Sequence, residues 1–179
     1  MKSKLKLYTD GSILQMKNFL YVENVASHGF IIVQRNAAGD DDEITRDVTV
    51  VKNTTITEME IRAIKTGIQA CIAHAEERRS SELAIEVYSD SKTAVDAFND
   101  HMAKWIKNAI RTGGEWRATN GNPVAHQGLY KEILALIESH NVKFIHVKAH
   151  KESRWNNEVD KMVREAAKAH VESKLPLAA

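Results

Sequence analysis

The sequence predicts an α/β fold with a mixed sheet, and three observations carry that prediction. The run Leu5-Lys6-Leu7-Tyr8-Thr9-Asp10-Gly11-Ser12 alternates like a half-buried strand, and two more strand-like runs follow at Gly29–Gln34 and Asp47–Val51, spaced to form an antiparallel meander. A long amphipathic helix then separates the first strand from a further apolar run at Leu83–Tyr88, which is the βαβ arrangement of parallel neighbours. These two strands end alike, each in a small polar turn carrying an aspartate: Asp10-Gly11-Ser12 and Ser89-Asp90-Ser91.

Taken in order, the first strand is expected to end at Asp10, because an aspartate is desolvated inside a strand but can face a crevice at a sheet's carboxyl edge. Gly11 would let the chain turn behind it. Ile13 to Ser27 reads as irregular, Gly29–Gln34 as a central strand, Asn36-Ala37-Ala38-Gly39 as a turn and Asp47–Val51 as the third strand. Helical periodicity begins at Thr57, where Thr57 and Glu60 have capping-box spacing, and runs to about Ala75 with Ile61, Ile64, Ile68, Cys71 and Ala75 on one stripe.

After Leu83–Tyr88 a short helix is expected from Lys92 to Phe98. His101 to Gly128 reads as a helix, a loop around Gly113-Gly114 and a return. Leu129 to His140 is a further amphipathic helix, Val142–Val147 a fifth strand, Lys148–Trp155 a loop and Asn156 to about Lys174 the last helix. No internal repeat interrupts this order. The 179 residues suit one domain, with a core from about residue 5 to residue 169 and a short tail from 174 to 179.

Composition narrows the class. With 43% hydrophobic and 27% charged residues the chain reads as globular, and its net charge of +1 excludes strong global attraction to nucleic acid while permitting a local basic patch. Cys71 is the single cysteine, which excludes an internal disulfide and a cysteine-based zinc site and suits a reducing compartment. The amino terminus lacks a signal peptide's apolar run, and no stretch approaches the ~20 apolar residues of a membrane span. A cytoplasmic monomer is the expectation.

Two aspartates at the ends of parallel strands suggest a hard divalent cation, which prefers oxygen ligands. Further carboxylates should come from helices. At about 100° per residue, Glu60 lies roughly 60° from the centre of the first helix's apolar stripe and Glu58 roughly 100° away, so Glu60 is the candidate. A purely capping role for Glu60 competes with that reading. On the last helix Asp160 borders the apolar side, with Asn156 four residues earlier on the same face; the helix dipole alone would also favour an acid there. His150, in the polar loop before that helix, could carry protons.

In order and position, Tyr8-Thr9-Asp10-Gly11-Ser12, Glu58-Met59-Glu60-Ile61-Arg62-Ala63, Tyr88-Ser89-Asp90-Ser91, and Val147-Lys148-Ala149-His150 followed by Trp155-Asn156-Asn157-Glu158-Val159-Asp160 resemble type 1 ribonuclease H. The resemblance covers Leu5 to about Ala169. It implies a ribonuclease H-like five-stranded mixed sheet flanked by helices, with Asp10, Glu60, Asp90 and Asp160 as ligands of two divalent cations, Mg²⁺ or Mn²⁺, and His150 as the mobile-loop histidine. It also implies endonucleolytic hydrolysis of the RNA strand of an RNA/DNA hybrid, leaving 5′-phosphate and 3′-hydroxyl ends.

Candidate substrate contacts are Gly11 and Ser12 beside Asp10, Lys92 two residues beyond Asp90, Asn156, and a segment that looks like the family's basic handle: Lys104, Trp105, Lys107, Arg111, Trp116 and Arg117. Four cations against Glu115 give that segment a local +3, enough to grip phosphates while a tryptophan packs on sugars; a core role for either tryptophan is the competing reading. The chain departs from the family pattern at Ile13–Ser27, where a Gly- and Pro-rich turn is usual, at Ile56 and Thr57 ahead of the helix glutamate, and at Lys92. These departures bear on sensing of 2′-hydroxyls more than on hydrolysis. Two alternatives stay open: a related nuclease acting on DNA or structured nucleic acid, and a catalytically silent binding module.

Overall fold

The computed structural model describes residues 2–17, 22–148 and 153–173. Five strands, β1 (Lys2–Lys17), β2 (Val22–Arg35), β3 (Asp41–Lys52), β4 (Glu82–Ser89) and β5 (Asn141–His146), form one sheet in the order β3-β2-β1-β4-β5. The β1–β2 and β2–β3 pairs are antiparallel and the β1–β4 and β4–β5 pairs parallel, as the meander and βαβ readings require. Asn36 builds the β2–β3 turn, its Oδ1 accepting from the backbone N–H groups of Ala38 (2.9 Å) and Asp40 (3.0 Å).

Helix α1 (Ile56–Glu77) follows β3, and its expected apolar stripe, Ile61, Ile64, Ile68, Cys71 and Ala75, is buried against the sheet with Leu5, Leu7, Ile32 and Ile85. Helix α4 (Gln127–Ile137) joins that side through Tyr130 and Ile133. The opposite face carries α5 (Arg154–Glu172), whose Trp155 and Val159 cluster with Tyr8, Ile31 and Val33. Alternation along β1 therefore sends Leu5, Leu7, Thr9 and Gly11 towards α1, and Tyr8, Asp10 and Ser12 towards α5.

Three expectations are corrected. β1 does not end at Asp10, and Ile13 to Ser27 is not irregular where it is described: the strand runs on to Lys17, pairing Asp10 with Gly29 and Lys17 with Val22. An aspartate is tolerated inside β1 because β4 stops alongside, Thr9 with Ser89 being the last parallel pair. The cap of α1 is Thr55, not Thr57: its hydroxyl accepts from Glu58 N–H (3.2 Å), while Glu58 takes bonds from Thr54 and Arg62. Glu60 is thereby free of capping duty.

The third correction concerns residues 92–112. The polar run Asn99-Asp100-His101 does not break the helix; α2 (Lys92–Asp96) passes through a π-helical turn at Ala97–His101 into α3 (Met102–Thr112), which ends at Gly113 in the left-handed region. Phe98 stacks on Phe144 of β5 (centroids 4.0 Å apart), and Asn99 Nδ2 donates to the Phe144 carbonyl (3.0 Å). Among the described residues no helix is long and apolar enough to cross a membrane.

Candidate active site

The sheet narrows at the level of Asp10. Below it β1 is flanked on both sides; above it, over residues 10–17, β1 is paired with β2 alone. Into this notch come side chains from four elements. Asp10 lies in β1, and Asp90 follows the last residue of β4. Its backbone is pinned: Ser91 N–H donates to Ser89 Oγ (3.1 Å), Val147 N–H to the Ser89 carbonyl (3.0 Å), and His146 Nε2 lies 3.2 Å from the Asp90 carbonyl.

Glu60 arrives from α1 because Gly11 lets the helix come down onto the strand. A Cβ at Gly11 would lie 2.9 Å from both Glu60 N and Met59 Cβ. The glycine is needed for close approach, not for the turn that its neighbours suggested.

The result is a cluster in which Asp10, Glu60 and Asp90 each offer an oxygen, all within 4.8 Å of one another. Asp10 is 5% and Glu60 8% exposed. Burial, reinforced by the Asp90 carboxylate, pushes Asp10 up to about 8; burial, then Asp10 and Asp90, pushes Glu60 up to about 9. Asp160, from α5, shares a hydrogen bond with the Asp10 carboxyl and accepts one from Arg164 Nη2 (2.6 Å). The four predicted carboxylates thus converge, three in the tight cluster and the fourth at its edge.

This donor set fits a divalent cation. Glu60 Oε2 is buried with no hydrogen-bond partner among the described residues, although a buried carboxylate oxygen ordinarily has one. The ligands are all hard oxygens, and the mutual repulsion that raises their proton affinity is what a cation relieves.

Other predicted residues have varied fates. His150 lies outside the described residues. Ser12 is buried on the α5 side of β1, paired with Ser27. Asn156 is buried in the first turn of α5, its Oδ1 without a partner among the described residues. Lys92 is exposed and donates to Asp96 Oδ2 (2.5 Å).

In the handle, Lys104, Lys107, Arg111 and Arg117 are exposed. His101, Lys104, Trp105, Asn108, Arg117 and Gly121 line a groove of about 410 Å³. Trp105 is half-buried there. Trp116 is only 6% exposed and belongs to the core, with the Trp105 ring 6.2 Å away and the Lys131 ammonium 5.2 Å over its face, so the substrate contact expected of it gives way to packing. Sequence reading missed His146 at the Asp90 turn and Tyr8 beneath Asp10. Tyr8 stands two residues before Asp10 on β1, but only the pairing of β5 with β4 brings His146 to the Asp90 turn.

Comparison with known proteins identifies the family and the fold. The RNase H family profile matches residues 2–168. The chain is 31% identical over 121 residues to a protein named Ribonuclease H from Caldanaerobacter subterraneus subsp. tengcongensis, covering 67% of this chain and 70% of that protein. A Clostridium botulinum protein of the same name is 36% identical over 83 residues, 46% of this chain and 52% of the relative.

Among solved structures, the PFV RNase H domain superposes with a TM-score of 0.75 at 16% identity, covering 94% of this chain and 97% of that one. LC9-RNase H1, described as a type 1 RNase H with the type 2 active-site motif, gives 0.66 at 21% identity, covering 94% and 74%. LC11-RNase H1, solved in complex with an RNA/DNA hybrid, gives 0.60 at 15% identity, covering 90% and 98%. At these identities the structures share the fold.

Proposed function

The chain belongs to the ribonuclease H family, and we propose that it cuts the RNA strand of RNA/DNA hybrids endonucleolytically, leaving 5′-phosphate and 3′-hydroxyl ends. The observation that carries this reading is the buried trio of carboxyl groups within 4.8 Å at the point where β4 stops. Asp10, Glu60, Asp90 and Asp160 would hold two divalent cations, Mg²⁺ or Mn²⁺. Bound there, the cations would activate the attacking water and stabilise the departing 3′ oxygen.

The remaining work falls to the chain. Burial, and then mutual repulsion, raises the proton affinity of Asp10 and Glu60, so positive charge entering the site would displace protons to solvent. Gly11 and the Thr55 cap fix α1, and with it the Glu60 carboxyl, against β1. His150, ahead of α5, would carry protons to and from the reacting oxygens. The exposed cations Lys104, Lys107, Arg111 and Arg117 would hold the DNA strand's phosphates, with Trp105 at the groove wall, while Gly11, Ser12, Lys92 and Asn156 border the RNA side. We place the protein in the cytoplasm as a monomer.

The test is cleavage of a labelled RNA/DNA hybrid with Mg²⁺, beside single-stranded RNA, duplex RNA and duplex DNA, with chelator and Asp10→Asn controls. Hybrid-only cutting that chelator and Asp10→Asn both reduce to background is expected, with Asp10→Asn still folded by circular dichroism. An active Asp10→Asn protein with an intact metal response would remove Asp10 from the site.

A further inference from the structure

Two side chains from the β1–β2 hairpin meet α5, one on each side of Asp160. At the start of the helix, Tyr8 packs with Trp155 and Val159, and its hydroxyl interacts with the Ser153 side chain. Ser153 is also the α5 cap, its Oγ accepting from Asn156 N–H (3.4 Å). The Tyr8 ring is itself fixed in place. It is 6% exposed and stacks on Tyr88 (centroids 4.8 Å apart, planes 14° apart), while the Tyr88 hydroxyl is engaged with Glu86 Oε2 (3.1 Å). Tyr8 and Tyr88 each stand two residues before a cluster aspartate on adjacent strands, so their stacked rings underlie Asp10 and Asp90.

Beyond Asp160, the fully buried Ser27 Oγ donates to the Val163 carbonyl (2.6 Å). This is an unusual bond for a helix interior, where that carbonyl already serves the helix ladder. Beside it α5 sits close on the sheet: a Cβ at Gly29 would lie 2.9 Å from Met162 Cε and 3.0 Å from Val163 Cγ1, and Gly29 is the cross-strand partner of Asp10. Asp160 lies between the two anchored points, seven residues after Ser153 and three before Val163.

We propose that Tyr8 and Ser27 are positioning residues that set the rotation and height of α5 over β1, and so the place of Asp160 relative to Asp10. Their action goes through α5 and touches no substrate. The hydrophobic contacts of Trp155 and Val159 hold the helix on the sheet, but apolar contact is non-directional and permits small slides. The Ser27 bond and the Tyr8 contact, at two heights, remove that freedom. The inference rests on the site reading above, because it assigns Asp160 to the metal centre.

The test compares Tyr8→Phe, Ser27→Ala, Ser153→Ala and Ser153→Thr with the wild type, all well below their melting temperatures. It reads kcat and KM on the hybrid and, separately, Mn²⁺ binding by calorimetry without nucleic acid. Tyr8→Phe leaves the Ser153 cap intact and so isolates the tether. We expect Tyr8→Phe and Ser27→Ala each to lower kcat and weaken Mn²⁺ binding by about tenfold, the lower end for a residue that orients a ligand, with KM within about twofold. Ser153→Thr should keep what Ser153→Ala loses.

Lower melting temperatures with kcat and Mn²⁺ affinity unchanged would overturn the proposal and leave the two hydroxyls a role in stability alone. A wild type that binds Mn²⁺ but does not cut the hybrid would refute the proposed substrate, and the calorimetric comparison would still decide the tethers. A wild type that takes up no Mn²⁺ would refute the site and the proposal together.

Discussion

Replacing Gly11 with alanine tests how the site is assembled. The added methyl carbon would stand 2.9 Å from Glu60 N and 2.9 Å from Met59 Cβ, where carbon contacts normally settle at about 3.5–4.0 Å. Neither neighbour is the loose end of a side chain; one is helix backbone and the other the first side-chain atom of a fully buried residue. The strain therefore cannot be relieved by a rotamer change, and α1 must lift from β1.

Overpacking of this kind costs about 1–3 kcal/mol, and the rigid neighbours argue for the upper half, about 2–3 kcal/mol. For a chain of this length that lowers the melting temperature by roughly 4–12 °C. Because Glu60 is the residue displaced, the metal concentration for half-maximal cleavage should also rise, by about tenfold. Thermal melts and metal titrations of cleavage measure both effects. Gly128→Ala is the control, since nothing lies within 4 Å of a Cβ there and the position opens a helix; it should be neutral or slightly stabilising. A Gly11→Ala protein that melts within about 2 °C of wild type, below the expected range, with an unchanged metal requirement would refute the close approach.

Two other predictions follow from burial. In chelator, the folded chain keeps protons on Asp10 and Glu60 up to about pH 8 and pH 9, whereas the unfolded chain loses them near the ordinary 3.8 and 4.5. Folding therefore binds protons in that window, and stability falls as pH rises through it. Melts from about pH 5 to pH 9 should show a decline in melting temperature that Mg²⁺ flattens and Asp10→Asn reduces; a flat profile in chelator would mean the carboxyls are not desolvated. Trp116→Ala should destabilise by about 3–5 kcal/mol, a large aromatic loss from a core, with KM for the hybrid little changed at temperatures where the protein is folded. An unchanged melting temperature with a raised KM would return the indole to the substrate.

Much of this was legible in the chain because the decisive signals are periodic. The α1 stripe from Ile61 to Ala75 fixed which way the helix rolls, and that roll selected Glu60 over Glu58 for the cluster. Glu58 turned out to serve Thr54 and Arg62 instead. The Asp90 turn was equally readable, since β4 is an unbroken apolar run with a sharp polar end.

What escaped depended on neighbours distant in sequence. Asp10-Gly11-Ser12 has the composition of a turn, and only the early end of β4, far along the chain, explains why a strand can pass through it. The helix through Asn99-Asp100-His101 escaped for a similar reason: Asn99 finds its partner on β5, and Phe98 its stacking partner at Phe144. Trp116 was ambiguous because a tryptophan among cations looks the same in sequence whether it faces the core or the solvent.

The order of the elements along the chain has a consequence for the time of synthesis. Asp10, Glu60 and Asp90 lie towards the beginning of the sequence, on a strand, a helix and a turn that are neighbours in space. Asp160 comes on α5, whose seat against β1 closes a loop of nearly the whole chain. A ribosome that has delivered β4 and the turn after it has therefore delivered three of the four carboxylates but not the helix that brings the fourth. Contacts of such sequence separation form late and slowly. A nascent chain emerging among RNA would carry an acidic cleft without its last wall, and the complete constellation would appear only once the final helix has docked.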